Sequence, residues 1–363
     1  MIIKNLAPEK NDFHVIGMMS GTSLDGMDLC YTHFKLNNNR WSFEIKHSTT
    51  IHYAPEWEEK LKNCRFLSGE ELTALDIEFG HLTGKFILEF IQEHQIDQVD
   101  LIASHGHTVF HQPENKFTLQ IGNGEAIACS TNLPVVNDFR QKDVQLGGQG
   151  APLVPIGDLY LFPDYQACLN LGGIANISIK NGDKIEAFDI CPMNLSLNKI
   201  AEKIQLKYDP SGQNAAQGKC IPELLEQLNH LPFYTIDGPK SLGIEWLDNN
   251  IFNLIESSNA HPNDLLRTFC EHQTTQIAKV VNERSIGKTL ITGGGAWNTF
   301  FIETLRSKCQ SDILLPSKEI IEFKEALIFG FLGVLHLKGI PNVLSMVTGS
   351  SRNSVSGVLH LPY

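Results

Sequence analysis

The 363-residue sequence has no surplus of positive charge: 29 Lys+Arg stand against 41 Asp+Glu, a formal net charge of −12 at pH 7. Without a basic surface to neutralise a phosphate backbone, nucleic acid is not an expected partner. The eight cysteines, Cys30, Cys64, Cys129, Cys168, Cys191, Cys220, Cys270 and Cys309, lie far apart with no C-x-x-C pair. That removes the commonest zinc and redox patterns and predicts reduced, mostly buried thiols. Long hydrophobic runs are missing too. The N-terminus lacks the apolar stretch of a signal peptide, and the longest apolar segment, 326–335, is too short to span a bilayer. A cytoplasmic protein without a membrane partner is expected. No low-complexity linker divides the chain.

What is present is a hydrophobic content of 42%, enough for roughly two domains, each with its own core. An acidic chain that binds a polyanion must use local backbone N–H groups, a few placed cations or a metal. Glycine turns are where such donors gather.

Residue patterning predicts a hairpin of strands 14–20 and 27–36 and a third strand, 41–51. Ser68-x-x-Glu71 is a capping box that opens a long helix, with Leu72, Leu75, Phe79, Leu82, Phe86, Ile87 and Phe90 recurring near helical spacing. Strands 99–104, 117–121 and 134–137 complete an α/β first half. The second half repeats the opening with strands 166–171, 174–179 and 184–190. Helices 194–205, 222–231, 262–284, 298–308 and 323–338 follow, with short strands 289–292 and 313–315. Gly147-Gly148-Gln149-Gly150-Ala151-Pro152 is the nearest thing to a domain boundary, and equally an active-site loop.

Three glycine turns stand out. Gly21-Thr22-Ser23-Leu24-Asp25-Gly26-Met27-Asp28 aims several N–H and O–H donors at one place, and Asp25 or Asp28 would orient Mg²⁺ through water. A plain hairpin loop has the same composition. Leu171-Gly172-Gly173-Ile174-Ala175-Asn176 repeats the strand, turn, strand order and suggests two similar lobes serving one nucleotide. Gly293-Gly294-Gly295 follows a strand and precedes a helix beginning near Asn298, which suits backbone approach to an adenosine. Two competing nucleotide motifs fail: Gly287-Lys288-Thr289 has Asn282 where a P-loop needs glycine, and Gly122-Asn123-Gly124 has Ile127 in place of a third glycine.

Other polar residues admit two readings each. His105-Gly106-His107-x-x-x-His111 offers three imidazoles to a metal, or a strand end at which His105 bonds a ligand hydroxyl. The absence of a carboxylate or Cys at ligand spacing favours the latter. Asp138-Phe139-Arg140 closes a strand, where ligand contacts gather, or forms an internal ion pair. Asp189 ends the strand after the second glycine turn and is a candidate general base. Glu325 falls in the first turn of the last helix, a favourable place for a carboxylate with or without a function.

Together these residues resemble the anhydro-N-acetylmuramic acid kinases, bacterial enzymes of the actin, hexokinase and Hsp70 ATPase superfamily. The resemblance runs along nearly the whole chain through 17–28, 104–111, 138–140, 147–155, 170–176, 188–189, 293–298 and 324–326. It implies an α/β, two-lobed actin-like ATPase fold of ribonuclease H type with the active site in the interlobe cleft. The lobes would comprise 1–137 plus 345–363, and 138–344.

The resemblance also implies a reaction. One site opens the 1,6-anhydro bridge of 1,6-anhydro-N-acetylmuramic acid and phosphorylates O6, giving N-acetylmuramic acid 6-phosphate in peptidoglycan recycling. ATP and Mg²⁺ are the implied cofactors, the sugar is the partner, and a homodimer is left open. Asp189 would be the base that activates water. ATP would lie on Gly21, Thr22, Ser23, Leu24, Asp25, Gly26, Met27 and Asp28, on Gly172, Gly173 and Asn176, and on Gly293, Gly294, Gly295 and Asn298. Asp25 would reach the metal through water. His105, Arg140, Asn194 and Glu325 would line the sugar pocket, with Arg140 a natural partner for the lactyl carboxylate.

The sequence departs from the family pattern in three places. Ile190-Cys191-Pro192-Met193-Asn194 stands where Thr-Gly-Pro-Gly-Asn is usual, Ile244 where an arginine is usual, and His107 where Gln is usual. A kinase for an open-ring amino sugar and a non-catalytic sugar and nucleotide binding protein are the alternatives.

Overall fold

The computed structural model describes residues 9–21, 24, 26–236 and 239–362. Thr22, Ser23 and Asp25 of the first glycine turn lie outside the described residues. The chain forms two compact units, one from 1–162 with 323–363 and one from 163–322.

The first unit is built on β1 (Asp12–Ser20), β2 (Met27–Asn37) and β3 (Arg40–Ile51), an antiparallel meander. β4 (Leu101–Gln112) lies parallel to β1 on its other side, β5 (Phe117–Ile121) doubles back on β4, and β6 (Val135–Asn137) runs parallel to β4. In the second unit β7 (Ala167–Leu171), β8 (Ile174–Asn181) and β9 (Lys184–Pro192) form a second meander. β10 (Lys288–Thr292) and β11 (Asp312–Leu314) extend it in parallel from β7. β12 (Val358–His360) returns to the first sheet and pairs antiparallel with β6.

Read across, the sheets run β3-β2-β1-β4-β6, with β12 closing the edge beside β6 and β5 paired to β4, and β9-β8-β7-β10-β11. Each sheet therefore has its first strand in the middle, a hairpin on one side and parallel strands on the other. This is the ribonuclease H-like order used twice, and the expected fold class holds.

The central strands are covered on both faces, so they read as apolar runs instead of strict alternation. Phe13, Val15, Ile16 and Met18 of β1 are all fully buried. One face of the first sheet takes the helix Gly69–Glu93, opened as expected by its capping box, with Glu71 N donating to Ser68 Oγ and Ser68 N to Glu71 Oε2. Its Leu75, Phe79, Ile87 and Phe90 share a core with Ile16, Met18 and Ile102. The helix Lys318–Leu337 meets the first sheet where glycines let backbone approach backbone. A Cβ on Gly17 would strike the Ala326 carbonyl and lie 2.8 Å from Gly330 N. In the second unit Leu169, Ile177 and Ile291 of the sheet pack with Leu265, Phe269 and Ile277 of the helix Pro262–Glu283.

Four expectations need correction. β4 continues to Gln112 and does not stop at 104, because β5 pairs with its second half. The glycine stretch 147–152 lies inside the first unit and is no linker. Residues 138–162 and 323–344 likewise belong to the first unit instead of the second. The last long helix starts at Lys318, and Phe323, where the sequence predicts its start, is a non-helical residue within it (φ −113°, ψ 15°). All eight cysteines are free, and five are buried. Among the described residues no helix is long and apolar enough to cross a membrane.

Candidate active site

In the second unit β7 and β10 are adjacent and parallel, so Gly172-Gly173 and Gly293-Gly294-Gly295 leave the same end of the sheet. The carboxyl ends of parallel strands are where α/β proteins place ligands. Gly293 has φ +83°, and a Cβ there would strike Asn170 Oδ1 and lie 2.8 Å from Leu171 C. A Cβ on Gly295 would come 2.7 Å from Leu171 Cβ. Only glycine lets these two turns lie so close together.

Asn194 opens the helix Asn194–Glu202, and its Nδ2 donates to Leu171 O at 2.9 Å while its backbone N donates to Gly172 O at 3.2 Å. Asn194 thus fastens the helix to the second turn. Asn298 caps the helix Thr299–Lys308 by accepting from Phe301 N at 3.0 Å. Its side-chain oxygen is engaged in holding the third turn's exit.

A polar row crosses this end of the sheet, because Thr292 pairs with Asn170, Asn170 with Asn176, and Asn176 with Asp189. The last pairing depends on a bulge: Ala175 faces Cys191 and Asn176 faces Asp189, leaving Ile190 as the extra residue. Asp189 Oδ2 accepts from Leu242 N, and Asp189 N donates to Lys240 O, both at 2.8 Å. Burial pushes the Asp189 carboxyl above the usual range, opposed by the Leu242 N–H. Among the described residues Oδ1 has no hydrogen-bond partner. Thr292 Oγ1 is buried without a partner among the described residues. Asn170 and Thr292 were not among the expected site residues; their place in the row follows from strand register, which no local pattern shows.

The departures near Asp189 point inward. Ile190 is 2% exposed and Cys191 and Met193 are fully buried, all three in the core of the second unit. The larger side chains that replace a hydroxyl and two glycines therefore fill the core. Ile244, in contrast, is 51% exposed.

The first unit carries the other expected residues. In the first turn Leu24 has φ +60° and its N donates to Gly21 O, while a Cβ on Gly26 would come 2.6 Å from Ile51 O. Met27 is buried, and Asp28 Oδ1 accepts from Thr50 Oγ1 at 2.6 Å. Beneath the turn the buried Ser20 Oγ accepts from Tyr53 OH at 2.7 Å and meets His107 Nδ1 at 3.1 Å. Burial lowers the His107 pKa to about 4.

His105 and Arg140 meet: Arg140 Nε donates to His105 Nε2 at 2.9 Å and Arg140 Nη1 donates to Gly150 O at 2.8 Å. Both side chains lie against Phe329. The glycine loop is held in turn by the buried Asp143, whose Oδ2 accepts from Gly150 N and Oδ1 from Thr348 Oγ1, both at 2.8 Å. Glu325 is accessible to solvent, yet desolvation raises its carboxyl above the usual range, opposed by the charges of Arg140 and Lys324. Burial lowers the Arg140 pKa to about 10, opposed by Glu325.

Two alternatives fall here. Arg140 bonds His105 and Gly150 instead of pairing with Asp138, which has φ +55° and accepts from the backbone of Gln141. The three imidazoles separate, His105 to Arg140, His107 to Ser20 and His111 to Thr118 Oγ1. The positive φ of Gly106 parts the first two. Among the described residues the ligand-type cluster is a different one, Asp12, His14 and His33.

A family profile described as anhydro-N-acetylmuramic acid kinase matches residues 13–362. A protein of that name from Vibrio vulnificus is 34% identical over 367 residues, covering 95% of this chain and 97% of its own. Another from Bacillus thuringiensis is 29% identical over 380 residues, covering 96% and 99%. Among solved structures, a ROK family glucokinase from Streptomyces griseus in complex with glucose and AMPPNP aligns with 88% of this chain and 98% of its own, at 11% identity and a TM-score of 0.39.

Proposed function

The chain belongs to the anhydro-N-acetylmuramic acid kinase family, ATP-dependent sugar phosphotransferases, and on that premise we propose that it converts 1,6-anhydro-N-acetylmuramic acid to N-acetylmuramic acid 6-phosphate. Asp189 takes a proton from water, the water oxygen bonds to C1, and the C1–O6 bond breaks as O6 takes the γ-phosphoryl group of ATP, whose bond to the bridging oxygen of the β-phosphate breaks to release ADP. The observation that carries this reading is the state of Asp189. One carboxylate oxygen is fixed by Leu242 N–H, and burial raises the proton affinity of the group.

In this reading the backbone N–H groups at Gly21, Gly172–Gly173 and Gly293–Gly295 hold ATP, and Asn194 and Asn298 act by positioning the second and third turns. Asp28 is an oxygen donor suited to Mg²⁺ through water, with Asp25 its expected companion, and the ion would offset charge on the transferred phosphoryl group. Arg140, oriented by His105 and Gly150, takes the lactyl carboxylate, with Glu325 beside it. The step recovers cell-wall sugar in the cytoplasm.

Turnover in ¹⁸O-water tests the reading. Sugar phosphate labelled at C1 is expected. Unlabelled product would instead identify a kinase for an open-ring amino sugar, and absence of any sugar phosphate would remove both.

A further inference from the structure

Far along β1 and β2 from the first turn, three side chains converge. His14 and His33 are register partners, and Asp12 lies two residues before His14 on the same strand face. His33 Nε2 lies 2.6 Å and His14 Nε2 3.8 Å from Asp12 Oδ1, and the two imidazoles stack at 4.1 Å. We propose that Asp12, His14 and His33 form a binding site for a borderline divalent cation of the zinc type, clipping β1 to β2.

Three observations carry it. The donor set, two imidazoles and a carboxylate, is one that zinc takes with water as fourth ligand. Tetrahedral bonds of roughly 2.0–2.1 Å separate ligand atoms by about 3.3 Å, and the separations of 2.6 and 3.8 Å straddle that value. Closure requires the two stacked rings to turn out of parallel, so that each Nε2 lone pair meets the ion.

Most specific is the arrangement behind His14. Tyr31 OH donates to Gln98 O at 2.8 Å, so its oxygen accepts at the 2.8 Å contact with His14 Nδ1. His14 therefore carries its proton on Nδ1 and turns the Nε2 lone pair toward Asp12 and His33. A partner that fixes the tautomer from behind is the usual support of a metal-binding imidazole. Lys35 Nζ, 3.7 Å from Asp12 Oδ2, is the competing cation.

The site lies six residues from Ser20 along β1, about 20 Å at 3.3 Å per residue, so its effect should be on stability and not on turnover. Tag-free full-length protein titrated with Co²⁺ should bind one equivalent per chain with visible ligand-field bands, and Zn²⁺ should displace it and raise Tm. His33→Gln and Asp12→Asn should weaken Co²⁺ binding by about tenfold or more, and Tyr31→Phe by a similar order, since it removes only the tautomer lock. Cys129→Ser, which removes the exposed thiol, should change nothing. His33→Gln should keep wild-type kinase activity. No saturable Co²⁺ binding at millimolar metal, or equal binding by His33→Gln, would overturn the proposal.

Discussion

Arg140 Nε donates to His105 Nε2, and this single contact fixes the protonation of both groups. A guanidinium Nε has only a proton to give, so His105 is neutral, with its own proton on Nδ1 facing Gly106 O at 2.9 Å. Arg140→Lys supplies one point charge and cannot bond His105 and Gly150 in the same fork. The expected result is a fall of about 100-fold in kcat/KM for the sugar, about 2.7 kcal/mol, with KM for ATP unchanged. A rise in the ATP KM alone would remove Arg140 from the sugar pocket.

Asp189→Asn keeps the acceptor that Leu242 N–H needs but cannot take a proton from water. Turnover should fall by about 10² to 10⁴ while calorimetric ATP affinity is retained. A variant within about tenfold of wild type, 1.4 kcal/mol in barrier, would place the base elsewhere.

Acid should destabilise the protein through its buried histidines. Burial lowers His107 to about 4 and His272 to about 3, against an ordinary value of 6.5. Below pH 6.5 the unfolded chain binds protons that the folded chain refuses, so stability is full above that pH. It is lost as pH falls toward 4, by up to about 1.4 kcal/mol per pH unit for each histidine. Asp138, Asp189 and Glu325, whose carboxyls are raised, contribute with the opposite sign. The check is therefore a comparison: Tm against pH should be flatter for His107→Gln/His272→Gln than for wild type. Parallel curves would contradict it.

Gly293→Ala tests the closeness of the two turns in the second unit. With φ at +83° and Asn170 Oδ1 in the way, strain and overpacking should cost about 1–3 kcal/mol of stability. ATP affinity should fall with it. Gly182→Ala is the control, since it shares a positive φ of 61° but meets nothing within 4 Å. Equal effects of the two would mean that φ alone matters.

Much of the fold is legible in the sequence because its signals are local. The Ser68 and Glu71 capping box, the glycine turns and the short apolar runs of the strands all act within a few residues. The division at 162/163 and 322/323 is not legible, because the last long helix crosses it at Phe323 with no change of composition. The glycines at 147–150 mimic a linker, while their conformation answers to the buried Asp143. At the site, Asp189 is visible as the acid of the strand after the second glycine turn, although that strand runs on to Pro192 instead of ending beside it. Its neighbours Asn170 and Thr292 become neighbours only through pairing between strands distant in sequence. The contact between His105 and Arg140 likewise depends on tertiary register.

The repeated strand order sets up a comparison of slots. In the first unit Met19, Asp28 and Thr50 are paired across the first, second and third strands, and in the second unit Asn170, Asn176 and Asp189 are paired in the same way. Each row has one acid, in a different slot. The middle-slot acid, Asp28, accepts from the hydroxyl of its outer neighbour; the outer-slot acid, Asp189, takes a backbone N–H from an inserted segment. One architectural template thus has two chemical halves, and in the proposed reaction the proton acceptor in the outer slot of the second half is the one that is used.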